Sequence, residues 1–169
     1  MKFFLDTEFI ERGHSSPIQL VSIGIVSALG EEFYAVSAEF DPAAANDWVK
    51  QNVLPHLGDG PRLTHPDLAI QLRNFIDGNG LQNSDGTASR FDSGPEFWGY
   101  YADYDWVVFA QIFGTMMDLP KGWPMYCRDL KQWCDELGNP KLPPQDSIEH
   151  NALHDAHWNR KVYDFLAAR

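Results

Sequence analysis

The sequence contains no long hydrophobic run and few cysteines. No stretch approaches the roughly 20 apolar residues that a transmembrane helix needs, and the first residues lack the basic, apolar and small-residue zones of a signal peptide. Cys127 and Cys134 form no C-x-x-C pair. We therefore expect a cytoplasmic protein with reduced thiols, no membrane contact and no zinc site built on cysteine.

Positive charge is also scarce. The chain has 13 Lys and Arg against 24 Asp and Glu, which gives a formal net charge of −11. Proteins that bind nucleic acid over a broad surface usually gain affinity by neutralising phosphates with Lys and Arg. The composition counts against such a surface. It still allows an enzyme that grips one strand end through bound metal ions, because the ions supply a local positive field.

What the sequence does have is the apolar content of a packed protein. Its 169 residues are 44% hydrophobic and 14% aromatic, and we expect one domain over residues 1–169, with the six tryptophans mostly in the core. Three antiparallel strands followed by alternating helices and strands indicate an α/β fold, with a mixed sheet flanked by helices. We predict strands at 2–9, 18–28, 31–40, 97–101 and 124–127, helices at 44–54, 67–76, 104–116, 129–137 and 151–168, and a surface loop at 78–94.

Two acids end the first predicted strand. Asp6 and Glu8 follow an apolar run and are separated by one residue. Because side chains alternate along a strand, both carboxylates point the same way. Two like charges side by side destabilise the fold unless a cation lies between them. The pair therefore predicts a divalent metal site with oxygen ligands.

A third acid follows the fourth predicted strand. If Asp103 caps the helix that begins there, Asp105 lies in the first turn and shares a core-facing side with Phe109 and Ile112. The alternative is that Asp105 only stabilises the positive end of the helix dipole.

The last predicted helix repeats this pattern. Asp155 lies near its start and shares a face with Trp158, Val162 and Phe165, although Asp is rarely buried without a partner. His150 is five residues earlier and cannot share that face. We predict that His150 occupies the loop before the helix, where its ring could swing over the same site.

These residues in this order resemble the DEDDh 3′→5′ exonucleases of the ribonuclease H-like superfamily. Asp6 and Glu8 match the first motif of that family, Asp105 the second, and His150 with Asp155 the third. The strings DTEFIERGH, YYADYDW and HNALHDAHWN are more closely similar to the polyadenylate-specific 3′-exoribonucleases known as RNase AS. One departure is that the second motif often carries Asn four residues before its Asp. This chain has Tyr at position 101, which puts an Asn contact to substrate in doubt.

The resemblance implies a ribonuclease H-like fold and a site for two Mg²⁺ or Mn²⁺ ions, which stabilise the attacking and leaving oxygens at phosphorus. It implies that Asp6 bridges both ions, that Glu8 and Asp155 complete one site, and that Asp105 acts nearby, partly through water. His150 would be the general base, since an imidazole pKa of about 6.5 leaves it largely neutral at pH 7.

The resemblance also implies the substrate and the assembly. The expected reaction releases nucleoside 5′-monophosphates from the 3′ end of single-stranded RNA, with a preference for adenylate, by a homodimer. Phe9, Thr7 and Arg12 are the candidate substrate contacts, and Phe9 could either stack on a terminal base or point to the other side of the sheet. Two alternatives stay open: a DNA-directed exonuclease of the same fold, and a non-catalytic RNA-binding domain.

Overall fold

The computed structural model describes residues 1–78, 94–145 and 150–169. Within these ranges the chain forms one mixed sheet with helices on both faces. The strands are β1 (Lys2–Ile10), β2 (Gln19–Ser27), β3 (Glu32–Ser37), β4 (Arg62–Leu63), β5 (Glu96–Gly99) and β6 (Arg128–Asp129). The helices are α1 (Asp47–Asn52), α2 (His65–Asp77), α3 (Asp103–Phe113), α4 (Leu130–Glu136) and α5 (Ala152–Ala167), with short 3₁₀ turns at Pro42–Ala44, Leu54–His56 and Met116–Asp118.

The strand order across the sheet is β4-β3-β2-β1-β5-β6. The first three strands form an antiparallel meander, whereas β5 pairs with β1, β6 with β5 and β4 with β3 in parallel. Parallel neighbours need a crossover connection, and helices supply it here. The predicted α/β fold with a mixed sheet is therefore confirmed, and it is consistent with the ribonuclease H-like architecture.

The sheet has a packed layer on each face. Phe3 belongs to the main core, which the sheet forms with α2 and α3, whereas Phe4 packs against Tyr163 of α5. Because neighbouring residues of a strand alternate between faces, Asp6 and Glu8 point toward the α5 side. The central strand thus carries the two acids on one face and a hydrophobic row on the other.

Local signals explain where the helices begin and end. The Thr64 side chain accepts a hydrogen bond from the Asp67 backbone at the start of α2, and Gly78 ends that helix with a φ of 85°. Asn151 caps α5 by accepting hydrogen bonds from two backbone N–H groups of its first turn. These helices match the predicted ones to within two residues.

Two expectations of local structure were wrong, and one short strand was missed. The strand expected at 124–127 is at Arg128–Asp129, because these are the residues that pair with Trp98 and Gly99 of β5. Asp103 is the first residue of α3 rather than its cap, and the cap position is Ala102. The two-residue strand β4 was missed, since two residues are too few to show alternation.

Two further predictions concern exposure. The tryptophans were expected mostly in the core, but only Trp106 and Trp123 are buried. Trp98, Trp133 and Trp158 are half-buried against a smaller core, and Trp48 is 52% exposed. The predicted loop at 78–94 lies outside the described residues from 79 to 93. In the described part of the chain, no helix has the length and apolar character required to cross a membrane.

The start of α5 rests directly on β2 at Gly24. A Cβ atom at Gly24 would overlap the backbone of Ala152 and Leu153. Gly24 also faces Asp6 across the β1–β2 ladder. The absence of a side chain at Gly24 therefore lets α5 approach the sheet beside the two acids.

We predict that Gly24→Ala displaces the start of α5 and lowers the free energy of unfolding by about 1–3 kcal/mol, as overpacking of a tight contact typically does. Urea denaturation measures the loss. Gly58→Ala is the matched control, because a Cβ at Gly58 would lie 3.7 Å from the Tyr34 ring, an ordinary contact. Equal losses in the two variants would contradict the proposed role of Gly24.

Candidate active site

Three carboxylates meet between β1 and α5. One carboxylate oxygen from each of Asp6, Glu8 and Asp155 lies within 4.8 Å of the others. Asp6 and Glu8 are partly buried. The alternation of β1 places the first two, and the packing of α5 on Gly24 brings the third. The structure thus brings together three of the four acids predicted from the sequence.

Hydrogen bonds hold Asp155 in this cluster. One carboxylate oxygen accepts from the backbone N–H of His150 at 3.1 Å, and the other accepts from the side-chain amide of Gln145. Asp155 itself is half-buried. The buried stripe predicted with it is partly confirmed, because Val162 is buried whereas Trp158 and Phe165 are half-buried. The buried residues of α5 are Ala152, Ala156, Asn159, Val162 and Leu166.

Two asparagines fix α5 relative to the rest of the site. The Asn159 amide donates to the Leu5 carbonyl of β1 at 2.9 Å, and the Asn151 amide donates to the His56 carbonyl at 2.9 Å. Both side chains are buried. Sequence reasoning missed these residues as parts of the site, because an asparagine gives no signal in the sequence of which distant carbonyl it will meet.

The fourth acid approaches from the opposite helix layer. Asp105 is in the first turn of α3, as predicted, and is 7% exposed. One of its oxygens accepts from the backbone N–H of Thr7 at 2.8 Å and from the Thr7 hydroxyl at 2.6 Å. Asp105 is therefore clamped to β1 between Asp6 and Glu8. Its stripe with Phe109 and Ile112 is buried, which confirms that part of the prediction.

The electrostatics of the cluster are unfavourable without a cation. Burial, followed by repulsion from Asp105, Asp155 and Glu8, raises the pKa of Asp6 well above its usual range. Burial and repulsion from Asp155 and Asp105 raise the pKa of Glu8 to about 8. Burial raises the pKa of Asp105 to about 6, although the hydrogen bonds from Thr7 oppose that shift. A cation bound among these carboxylates would oppose the upward pKa shifts, because it favours their charged forms.

His150 occupies the segment just before α5, as predicted. It has a φ of 64°, in the left-handed region that non-glycine residues seldom adopt. Its ring packs edge-on against the indole of Trp48, with the ring centroids 4.8 Å apart. Trp48, a residue type expected mostly in the core, is therefore a neighbour of the predicted base His150.

The three predicted substrate contacts have different surroundings. Thr7 is buried and its hydroxyl is engaged by Asp105. Phe9 belongs to the main core on the α3 side of the sheet and stacks on Tyr104, with the centroids 5.5 Å apart. Arg12 is exposed after β1. Contact of any of these with substrate stays a prediction.

A known protein family matches this chain over nearly its full length. Residues 1–167 match the family model described as 3′-5′ exoribonuclease Rv2179c-like domain. The chain belongs to this family. Two curated relatives come from Mycobacterium tuberculosis strains, CDC 1551 / Oshkosh and ATCC 25618 / H37Rv. They are named 3′-5′ exoribonuclease MT2234.1 and 3′-5′ exoribonuclease Rv2179c.

Each relative is 39% identical over 159 residues, which is 92% of this chain and 87% of the relative. Membership of the Rv2179c-like family confirms the predicted assignment to the 3′-5′ exoribonucleases. The predicted free thiols are also observed, since Cys127 and Cys134 form no disulfide.

The acid cluster of this Rv2179c-like chain fits a hard divalent cation. Carboxylate oxygens are the ligands that Mg²⁺ and Mn²⁺ prefer. The oxygens of Asp6, Glu8 and Asp155 converge closely enough to share one ion, and Asp105 is tied to the residue between the first two. Such a centre can neutralise the charge that develops on a phosphodiester during hydrolysis.

We predict that the metal-free protein loses stability as the pH rises from about 6 to about 8. Glu8 has a folded-state pKa of about 8 against an ordinary value of 4.5, so in this range the folded chain keeps a proton that the unfolded chain has released. Stability therefore falls with pH, by up to about 1.4 kcal/mol per pH unit for one proton. Urea unfolding in chelator at several pH values measures this slope.

Glu8→Gln is the matched control, because it removes the titrating group and keeps the side-chain shape. The slope should be shallower in this variant, and millimolar Mg²⁺ or Mn²⁺ should raise the melting temperature of the unmutated protein. A Glu8→Gln variant with an unchanged slope would show that Glu8 does not carry the raised pKa.

Proposed function

We propose that this protein is a metal-dependent 3′-5′ exoribonuclease of the DEDDh type. It releases nucleoside 5′-monophosphates from the 3′ end of single-stranded RNA and prefers adenylate-rich ends. The observation that carries the proposal is the convergence of Asp6, Glu8 and Asp155, with Asp105 clamped beside them, in a chain of the Rv2179c-like family.

Two Mg²⁺ or Mn²⁺ ions are the proposed cofactors. Asp6, Glu8 and Asp155 would hold them, with Asp105 contributing from the α3 side. When bound, the ions supply positive charge for both the attacking and the leaving oxygen. Their charge also compensates for the few basic residues of the chain, because a strand end can then be held locally.

The protein side chains supply the proton chemistry. His150 is proposed to accept a proton from the attacking water, and an imidazole is suited to this task near neutral pH. Its backbone N–H donates a hydrogen bond to the Asp155 carboxylate, and this bond holds His150 next to the acid cluster. The Trp48 indole limits the directions in which the ring can turn.

The finer parts of the proposal have different support. A single domain over the chain is supported by the family model, which spans residues 1–167. RNA as substrate is supported by the names of the relatives. The adenylate preference and the homodimer rest on the motif strings given above, and a cytoplasmic location rests on the two free cysteines.

We predict that Asp6→Ala and His150→Ala each abolish most of the 3′-5′ hydrolysis. Removal of a general base typically lowers the rate by about 10²–10⁴-fold. His150→Ala keeps the backbone N–H that binds Asp155, so the acid cluster stays in place. The kcat for release of nucleotides from the 3′ end of single-stranded RNA, measured with Mg²⁺ or Mn²⁺, checks both variants.

Asp103→Ala and His154→Ala are the matched controls for these two changes. Both residues are exposed, and each lies close in sequence to a site residue. Their rates should stay near that of the unmutated protein. Wild-type turnover in Asp6→Ala or His150→Ala would exclude the proposed roles.

A panel of oligonucleotides tests the substrate. We predict that oligo(A) is degraded faster than oligo(U), and that single-stranded DNA of the same length is degraded most slowly. Initial rates at equal concentrations provide the comparison. Faster degradation of DNA would identify a DNA-directed exonuclease instead, and no degradation of any member would favour a non-catalytic binding domain.

A further inference from the structure

An exposed aromatic ring, that of Tyr104, is stacked on Phe9 where the start of α3 meets the end of β1. Tyr104 and Phe9 are nearly parallel, with an interplanar angle of 14° and 5.5 Å between centroids. Phe9 packs against the main core, whereas Tyr104 is 50% exposed. Since one face of the Tyr104 ring lies against Phe9, the exposed part is its opposite face and its rim.

The chain places this pair next to the predicted metal ligands. Phe9 follows Glu8 on β1, and Tyr104 precedes Asp105 on α3. The two hydrogen bonds from Thr7 to Asp105 join β1 to the first turn of α3. The hydrogen bonds that hold Asp105 on Thr7 therefore also hold the neighbouring Tyr104 close to β1.

The chemistry of this surface suits a nucleobase rather than a phosphate. The exposed Asp103 precedes Tyr104 in the sequence, so a phosphate on the ring surface would meet like charge. A neutral aromatic face binds any base by stacking, at about 1–3 kcal/mol for each base. Stacking also needs no basic side chain, which this chain of net charge −11 has in short supply.

We propose that Tyr104, backed by Phe9, is the stacking surface for a base in the last two nucleotides of the RNA, and that it contributes to the adenylate preference. A purine offers a larger ring system than a pyrimidine, so it gains more from stacking on the same face. This inference rests on the proposed exoribonuclease function and adds a specificity-determining residue to it.

Binding to the His150→Ala variant tests the proposal, because that variant keeps the carboxylates but should hydrolyse RNA slowly. In this background with Mg²⁺, Tyr104→Ala should raise the Kd for a short 5′-labelled oligoadenylate by about 5- to 150-fold, which corresponds to the stacking energy of one base. Tyr104→Phe keeps the stacked face and should retain the affinity. Fluorescence anisotropy measures each Kd.

Tyr126→Ala is the matched control. Tyr126 is 54% exposed, but it lines a cavity with Trp98 and Arg128 near β6 rather than stacking on Phe9. Its removal should leave the Kd within about twofold of the background, a difference near 0.4 kcal/mol. The melting temperature and its rise with Mg²⁺ should stay unchanged in Tyr104→Ala, which separates lost stacking from a damaged site.

Abasic nucleotides locate the contact. If Tyr104 stacks on a terminal or penultimate base, the effect of Tyr104→Ala should disappear when that base is removed. The same variant should also reduce the ratio of oligo(U) to oligo(A) dissociation constants. An unchanged Kd for oligo(A) in Tyr104→Ala, or a loss that persists with both bases removed, would overturn the proposal. Failure of the unmutated protein to degrade RNA would instead overturn the proposed function.

Discussion

Mutual repulsion among half-buried carboxylates is the constraint on which this structure depends. Burial and repulsion both raise the pKa values of Asp6 and Glu8, so the surrounding fold must hold these groups together at a cost in free energy. The cost is tolerable because the groups lie on rigid elements. β1 is one of the two central strands of the sheet, and α5 packs closely on the other, β2, because Gly24 has no side chain there.

The supports around the acids are mostly uncharged. Thr7 donates two hydrogen bonds to Asp105, and the His150 backbone and the Gln145 amide donate to Asp155. Hydrogen bonds of this kind orient a carboxylate and leave its charge in place. A lysine or arginine in the same position would neutralise that charge and compete with a metal ion for it. Neutral donors therefore leave the negative charge of the cluster available to the proposed divalent cations.

Much of the site could be predicted from the sequence because its signals are local. The alternation of β1 predicts that Asp6 and Glu8 point the same way, and helical spacing predicts that Asp105 heads a buried stripe. The place of His150 before α5 follows from the same spacing. The antiparallel start of the sheet is visible in the hydrophobic runs of the first forty residues.

The remaining features depend on contacts between distant segments. The partner of Trp48 is a histidine about a hundred positions later, and the partner of Tyr104 is on another strand. The start of α3 has no side-chain cap, and the Ala102 backbone N–H donates instead to the Asp129 carboxylate. No periodicity within a segment reports such pairings, which is why the cap and the last strand were misplaced.

One peptide unit links the two halves of the proposed chemistry. The left-handed backbone of His150 directs its N–H to Asp155, while its side chain leaves the same Cα toward Trp48. A displacement of the His150 backbone would therefore disturb the hydrogen bond to Asp155 and the contact with Trp48 together. The proposed proton acceptor and the proposed metal ligand are thus connected through a single residue.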